Sequence, residues 1–344
     1  MSVPMHQLPE QQPSVWQPTS VEEAIQLKHK WGKDAVFVAG GTWLRTRWEN
    51  GLAPMPKYFI SLGRIPVLSG LTVNSQGQVQ IGPSLSIADL MKNELVQQKY
   101  GLLVQACSEI AAPSIRNLAS IGGNVMTRTG DLIPALLVMD AQIRCTNGQE
   151  ERTIALKDWL AAPQGVHEEI MTGIIVEAGG EEVEEQGQGQ EQGQEQGREQ
   201  GQEQEQEQGQ GQGQDQDQDQ DQVQKNEFTH EFYLKVGRRE AFTPSVVTVA
   251  GRLSLQADGM VINIALAAGG GNTIPVRFTD LEAGMIGKPL NKAVLQGLHK
   301  GVIADFNAVA DDYAGVAYRK LTAANLIISE CFKAWRKGGG AYAP

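Results

Sequence analysis

The chain is poor in the residues that hold metals. Its 344 residues include three cysteines, Cys107, Cys145 and Cys331, and five histidines, His6, His29, His167, His230 and His299. No C-x-x-C or H-x-x-x-H pair occurs, so no zinc or iron–sulfur site is expected within this chain. The cysteines have mostly apolar or small neighbours and are expected to be structural and buried. No apolar run approaches the ~18 residues of a membrane span. The opening "MSVPMHQLPEQQP" lacks a basic segment followed by an apolar one. Neither a membrane partner nor a signal peptide is expected, and the expected location is cytoplasmic. A P-loop G-x-x-x-x-G-K-[ST] is also missing, as is G-x-G-x-x-G behind a strand. A mononucleotide kinase and an ordinary Rossmann enzyme lose support on that ground.

Positive charge is scarce only in appearance. The net charge is −11, but Glu181–Gln222 holds ten Glu, four Asp and one Arg, a net −13, so the remainder carries −11 + 13 = +2. A near-neutral folded part argues against nucleic-acid binding. The tract has one aliphatic residue, Val183. It cannot bury a core, and disorder is expected over 181–222. Its G-x-G patterns follow from composition. Strand-like sequence flanks it, "EEIMTGIIVEA" before and "FTHEFYLKVG" after, so it reads as an insertion in a surface connection, where added length costs little closure entropy.

Along the rest of the chain, "SVEEAIQLKHKWG" has Ser20 as N-cap, Glu23 three residues on, and Gly32 as a stop. "AVFVAGG" is a buried strand running into glycines, and Thr42 is the expected cap of a short helix, "WLRTRWEN". "YFISL" is the next strand. "VQIGPSLSIADLMKNEL" gives a strand, a turn and a helix capped near Ser86. "GLLVQACSEIA" is a helix, and "DLIPALLVMDAQIRC" is a short apolar helix and a strand. "SVVTVAGRLSLQADGMVINIALAAGGG" reads as two antiparallel strands joined near Asp258-Gly259. Two amphipathic helices follow, "NKAVLQGLHKGVIADF" and "GVAYRKLTAANLIISECFKAW". The expected organisation is a first domain over 10–180, split into a β-α-β subdomain (about 10–62) and an α+β subdomain (about 63–180). The insertion (181–222) follows, then the end of the first domain (223–240) and a C-terminal sheet-and-helix domain (241–340).

Two double-glycine segments invite a chemical reading, "FVAGGTWL" at 37–44 and "SIRNLASIGGNVMT" at 114–127. Glycine permits positive φ and close backbone approach, and runs of free N–H groups in such turns bind anions. Thr42 neighbours one pair, and Ser120 and Asn124 the other. The expectation is that the two segments meet in space and hold one diphosphate ligand.

"VAGGTWL", "IRNLASIGGNV", "GDLIPALLVMDAQI", "YFISLGRIPVLSGL" and "FYLKVGRREAFTPSVVTVAGRL" resemble the FAD-binding medium subunit of molybdenum hydroxylases, the family of xanthine and carbon monoxide dehydrogenase flavoproteins. The likeness covers most of the chain except the tract. It implies an α+β chain: a two-subdomain FAD-binding fold of the PCMH/vanillyl-alcohol-oxidase type, then a small antiparallel sheet with helices. By the same resemblance, Val38, Ala39, Gly40, Gly41, Thr42, Trp43 and Leu44 wrap the FAD pyrophosphate from one side. Ser120, Ile121, Gly122, Gly123 and Asn124 wrap it from the other. Asp131 faces the ribityl or phosphate region, and Lys235 lies near the isoalloxazine. Ile110 and Ile174 pack around the flavin, with Tyr233 or Phe242 as candidates to cover the ring. Trp43 departs from the family's usual Asp or small polar residue, and "TRTGDL" is shorter than the family's run before Asp131. Arg116 is expected to cap or solvate, and Arg238 and Arg239 to face a partner or the surface.

The resemblance further implies an electron-transfer subunit of a multi-subunit molybdenum hydroxylase, with xanthine dehydrogenase the leading reading. A [2Fe–2S] iron–sulfur subunit and a molybdopterin-binding large subunit would be its partners, and NAD+ the acceptor. No catalytic side chain and no metal is assigned to this chain. Two readings compete: a stand-alone flavin oxidoreductase of the same fold, and a non-enzymatic interaction protein acting through its acidic tract.

Overall fold

The first helix starts as its sequence dictates. In the computed structural model, residues 12–163, 169–177, 227–238 and 244–338 are described. Ser20 accepts from the N–H of Glu23 at 3.1 Å, the expected N-cap bond, while Glu23 Oε2 reaches past the cap to accept from the N–H of Thr19 at 2.8 Å. Gly32, at φ +50, ends the helix.

That helix belongs to the first of three bodies. β1 (Ser14–Trp16), α1 (Val21–Trp31), β2 (Ala35–Val38), α2 (Thr42–Glu49) and β3 (Tyr58–Ser61) follow in order, and the strands form a parallel sheet ordered β1-β3-β2. Trp31 stacks on Tyr58 with centroids 4.4 Å apart, so α1 lies on one sheet face above a small core of Val21, Ala24, Ile25, Ala35, Ile60, Ile65 and Leu68.

The second body holds β4 (Leu71–Val73), β5 (Val79–Ile81), α3 (Ile87–Lys92), α4 (Glu94–Lys99), α5 (Gly101–Ser108), α6 (Pro113–Arg116), α7 (Ile121–Met126), α8 (Ile133–Val138), β6 (Gln142–Thr146), β7 (Glu151–Ala155), α9 (Leu156–Ala161) and β8 (Ile170–Val176). Its antiparallel sheet runs β4-β5-β8-β6-β7. All six residues of α8 are buried. A helix apolar all round needs cover on every side. α8 has it, from α5 on one side and from the third body's sheet, through Ala250, Ala265 and Ala267, on the other.

The third body comprises β9 (Phe228–Gly237), β10 (Ser245–Leu255), β11 (Val261–Gly270), β12 (Thr273–Arg277), α10 (Thr279–Ala283), α11 (Lys292–Asp305) and α12 (Val316–Lys337). The antiparallel sheet is ordered β12-β11-β10-β9. Its β10–β11 hairpin turns at Gly259, at φ +82. α12 covers the face away from α8, with Ala323, Ala324, Ile327, Cys331 and Ala334 inward. Arg277 ties the layers: its guanidinium pairs with Glu282 at 3.0 Å and donates to the Leu137 carbonyl at the end of α8.

One expected boundary shifts. The segment 223–240 is expected to end the first domain, yet β9 pairs with β10 from Phe228 through Gly237. Ladder hydrogen bonds along its whole length make it a strand of the third body. The 181–222 insertion lies outside the described residues. All three cysteines are buried, as expected from their neighbours. No helix among the described residues is long and apolar enough to cross a membrane.

Candidate functional site

The first glycine pair sits where β2 ends and α2 begins. Gly41 adopts φ +67 and is the N-cap, with no side chain to cap the turn. Thr42 therefore opens the helix as its first residue, one place later than the expected cap. The first N–H groups of a helix have no partner within it. Here the N–H groups of Gly40 through Leu44 find no acceptor among the described residues, while the Gly41 carbonyl already accepts from Arg45 at 2.8 Å. Five consecutive donors beside a helix N-terminus, where the dipole favours negative charge, suit a diphosphate. Trp43 points outward, 45% exposed, with the Arg47 guanidinium 4.8 Å from its ring.

The second glycine pair behaves differently. Ile121, Gly122, Gly123 and Asn124 form the first turn of α7, with Ser120 as N-cap. Every N–H in that turn is already used. Ile121 donates to the Leu85 carbonyl at 3.1 Å, Gly122 to the Pro83 carbonyl at 2.8 Å, Gly123 to Ser120 Oγ at 3.1 Å and Asn124 to the Ser120 carbonyl at 3.0 Å. The expected anion nest is absent here. Gly122 is needed for close approach, since a Cβ would lie 2.4 Å from Pro83 Cβ.

The two segments do meet. A Cβ on Gly40 would sit 1.7 Å from the Leu118 carbonyl oxygen. The first body's phosphate-type cradle is thus pressed against the second body just before α7. Asn124 then extends the arrangement. Its Oδ1 accepts from the N–H of Leu132 at 3.0 Å, and a Cβ on Gly130 would lie 2.2 Å from that same oxygen. Asn124 therefore shapes the turn that presents Asp131.

Asp131 and Lys235 converge on each other. Lys235 Nζ lies 3.0 Å from Asp131 Oδ2, with the lysine side chain 7% exposed. It also donates to the Glu109 carbonyl at 2.7 Å. Ser245 Oγ donates to Asp131 Oδ1 at 2.5 Å, and the Tyr233 hydroxyl donates to the Asp131 carbonyl at 2.8 Å. Burial first, and then the nearby Asp131 carboxylate, push the Tyr233 phenol well above its ordinary value, so it remains a donor. Ile110 is buried next to Glu109.

Other assignments change. Ile174 is fully buried in the second body's core and offers no surface to a ligand; packing explains it. Tyr233 is 1% exposed and cannot cover a flavin ring. Phe242 and Arg239 lie outside the described residues. Arg116 caps α5, donating to the carbonyls of Ser108, Ile110 and Ala111, as expected for a capping arginine. Arg238 lies over the Tyr313 ring. The contacts of Ser245 and the Tyr233 hydroxyl with Asp131 were not foreseen from the sequence. A tyrosine at an inward strand position signals a hidden hydrogen-bond partner; Ser245 carries no such local sign.

A donor cradle at a strand–helix junction, pressed against a second body, has the chemistry to receive a diphosphate. Two family models tile this chain. Residues 10–176 match the FAD binding domain in molybdopterin dehydrogenase, and residues 232–335 match the CO dehydrogenase flavoprotein C-terminal domain. The chain belongs to this flavoprotein family, and its cofactor is FAD. It is 32% identical over 145 residues to the 6-hydroxypseudooxynicotine dehydrogenase complex subunit alpha of Paenarthrobacter nicotinovorans, covering 42% of this chain and 48% of that one. It is 26% identical over 120 residues to the xanthine dehydrogenase FAD-binding subunit of Escherichia coli O157:H7, covering 33% and 41%. The chain thus spans about half the length, or less, of these curated relatives. It shares its fold with a chain of carbon monoxide dehydrogenase from Hydrogenophaga pseudoflava, at TM-score 0.75 and 22% identity, over 96% of this chain and 99% of that one.

Proposed function

We propose that this chain is the FAD-binding electron-transfer subunit of a cytoplasmic molybdenum hydroxylase, with a [2Fe–2S] subunit and a molybdopterin-binding large subunit as partners. Xanthine is the proposed substrate of the complex and NAD+ the proposed acceptor. The observation that carries the reading is the row of acceptorless N–H groups from Gly40 to Leu44, pressed against Leu118. These residues would hold the diphosphate, and Asp131, Lys235 and Ile110 would line the rest of the cofactor's path. FAD, when bound, supplies redox chemistry that can join an iron–sulfur donor to a nicotinamide acceptor. The chain's own part is to bind and orient. The cradle fixes the charged centre of the ligand, and the buried Lys235 places a cation offset by Asp131.

The three thiols are buried, and in this reading electrons reach the flavin from the partner's iron–sulfur centre. The test is to purify the chain alone and with both partner subunits. Alone, it should carry flavin and reduce NAD+ or a dye from an artificial reductant, yet oxidise no xanthine. Xanthine-dependent NAD+ reduction should appear only with the partners. Robust xanthine oxidation by the isolated chain would overturn the reading in favour of a stand-alone flavoenzyme.

A further inference from the structure

We propose that Ser245 is a positioning residue of the cofactor site, acting through Asp131, and that the C-terminal body thereby helps to build that site. The inference rests on the FAD reading above and goes beyond it.

Asp131 belongs to the turn between α7 and α8, in the second body. All three groups that hold it come from the third body. Lys235 and Tyr233 are on β9, and Ser245 is the first residue of β10. The ion pair fixes one carboxylate oxygen. Ser245 Oγ, 4% exposed as a residue, fixes the other at 2.5 Å. A carboxylate held at a single oxygen can still swing about its terminal torsion, which is broad and roughly two-fold. Held at both oxygens and at its own backbone carbonyl, Asp131 has one orientation, and so has the ammonium paired with it.

Each holding group is itself braced. The Gln105 side chain on α5 forms two hydrogen bonds with the Tyr233 backbone, accepting from its N–H at 3.2 Å and donating to its carbonyl at 3.1 Å. The Ser245 carbonyl accepts from the N–H of Gly271 at 3.0 Å. The neighbouring Val246 carbonyl accepts from Arg319, a fully buried arginine on α12 that also pairs with Asp311 at 2.5 Å. The path therefore runs from α12 through Arg319 to the start of β10, then through the Ser245 hydroxyl to Asp131. Ser245 has no other acceptor for its hydroxyl among the described residues. Its one visible task is to aim that carboxylate.

The experiment measures FAD binding to the apo form of the full chain by quenching of flavin fluorescence. The proteins are the wild type, Ser245→Ala, Ser245→Thr, Asp131→Asn and the Ser245→Ala/Asp131→Asn double variant. Thermal melts of each apo protein accompany the titrations. Ser245→Ala should weaken FAD binding by about tenfold, the loss of roughly one hydrogen bond to a charged group. Ser245→Thr keeps the hydroxyl and should restore binding to within about twofold of wild type. If Ser245 acts through Asp131, the double variant should bind no more weakly than Asp131→Asn alone, a non-additivity that a merely structural role does not produce. Wild-type affinity in Ser245→Ala would overturn the inference, and so would fully multiplying effects in the double variant. A wild-type chain that takes up no FAD would reject the cofactor reading itself, and the inference with it.

Discussion

Gly40→Ala is the sharpest test of how the two glycine segments cooperate. Gly40 does not have positive φ, so the substitution brings no left-handed backbone penalty. Its cost is purely one of space. The new Cβ would lie 1.7 Å from the Leu118 carbonyl oxygen, 2.6 Å from its carbonyl carbon and 3.0 Å from Ala119 Cα. All three are backbone atoms, and no rotamer change can move them. An ordinary non-bonded separation is about 3.5 Å, so the segments must part by roughly 1.5–2 Å. That displacement opens the seam against which the cradle is pressed. Losing one charge-assisted hydrogen bond to the diphosphate costs about 1.5–3 kcal/mol, or roughly a ten- to hundredfold rise in Kd. Gly123→Ala is the matched control. Its Cβ would meet only Ser120 Oγ, at 2.9 Å, and its N–H is already committed to that hydroxyl. The expected damage is that of a weakened cap, about 1 kcal/mol of stability, with FAD affinity within a few-fold of wild type. Titrating both apo variants with FAD decides the matter. Unchanged affinity in Gly40→Ala, or equal losses in the two variants, would refute the unequal roles assigned to the two pairs.

Ala111 sits at φ +39, held there by the Arg116 guanidinium on its carbonyl. Ala111→Gly should stabilise the chain by about 0.5–1 kcal/mol, read as a higher urea midpoint at unchanged slope. Burial raises the Glu330 carboxyl, but hydrogen bonds from Lys333 and His230 outweigh it, leaving a net value below the ordinary 4.5. A lowered carboxyl stabilises the fold above its unfolded value, so this contribution should be present at neutral pH and vanish as pH falls below about 4.5 through the folded value. Glu330→Gln should cost about 2 kcal/mol at pH 7 and progressively less as the pH is lowered from 4.5, measured by denaturant titration across that range. Burial pushes the thiols of Cys107 and Cys331 up to about 12 and that of Cys145 up to about 11. At pH 8 the native protein should leave an aromatic disulfide reagent unconsumed, and the three thiols should appear only in denaturant; rapid native reaction would contradict their enclosure.

Much of the fold is legible because it is local. Ser20 and Glu23 close their cap within four residues. Gly259 turns a hairpin between its own neighbours. The apolar runs of β8, β9 and α12 lie where the hydrophobic pattern puts them. The first cradle is legible for the same reason, since its strand, its glycines and its helix are consecutive. What the sequence hides is long in range. Ser245 meets Asp131 across 114 positions and Tyr233 meets it across 102, and no local pattern announces which hydroxyl a carboxylate will find. Ile174 shows the converse: its apolar type suits a ligand wall and a core equally, and only the packing of β8 against the second body's core decides between them.

The two glycine pairs sharpen the point. Read as letters they are alike, each a Gly-Gly flanked by a polar residue at the edge of an element. A nest for an anion needs more than permissive backbone; it needs N–H groups without acceptors. At Gly40–Leu44 the chain leaves β2 and enters a helix, and the N–H groups there find no acceptor among the described residues. At Ile121–Asn124 the same residue type lets the backbone close onto Pro83, Leu85 and Ser120, and the donors are consumed in doing so. Glycine lets the backbone pack closely at both places, Gly40 on Leu118 and Gly122 on Pro83, but only at the second are the neighbouring donors consumed among the described residues. The feature that separates the two roles is the destination of the backbone hydrogen bonds, which is fixed by the residues that approach from elsewhere in the chain.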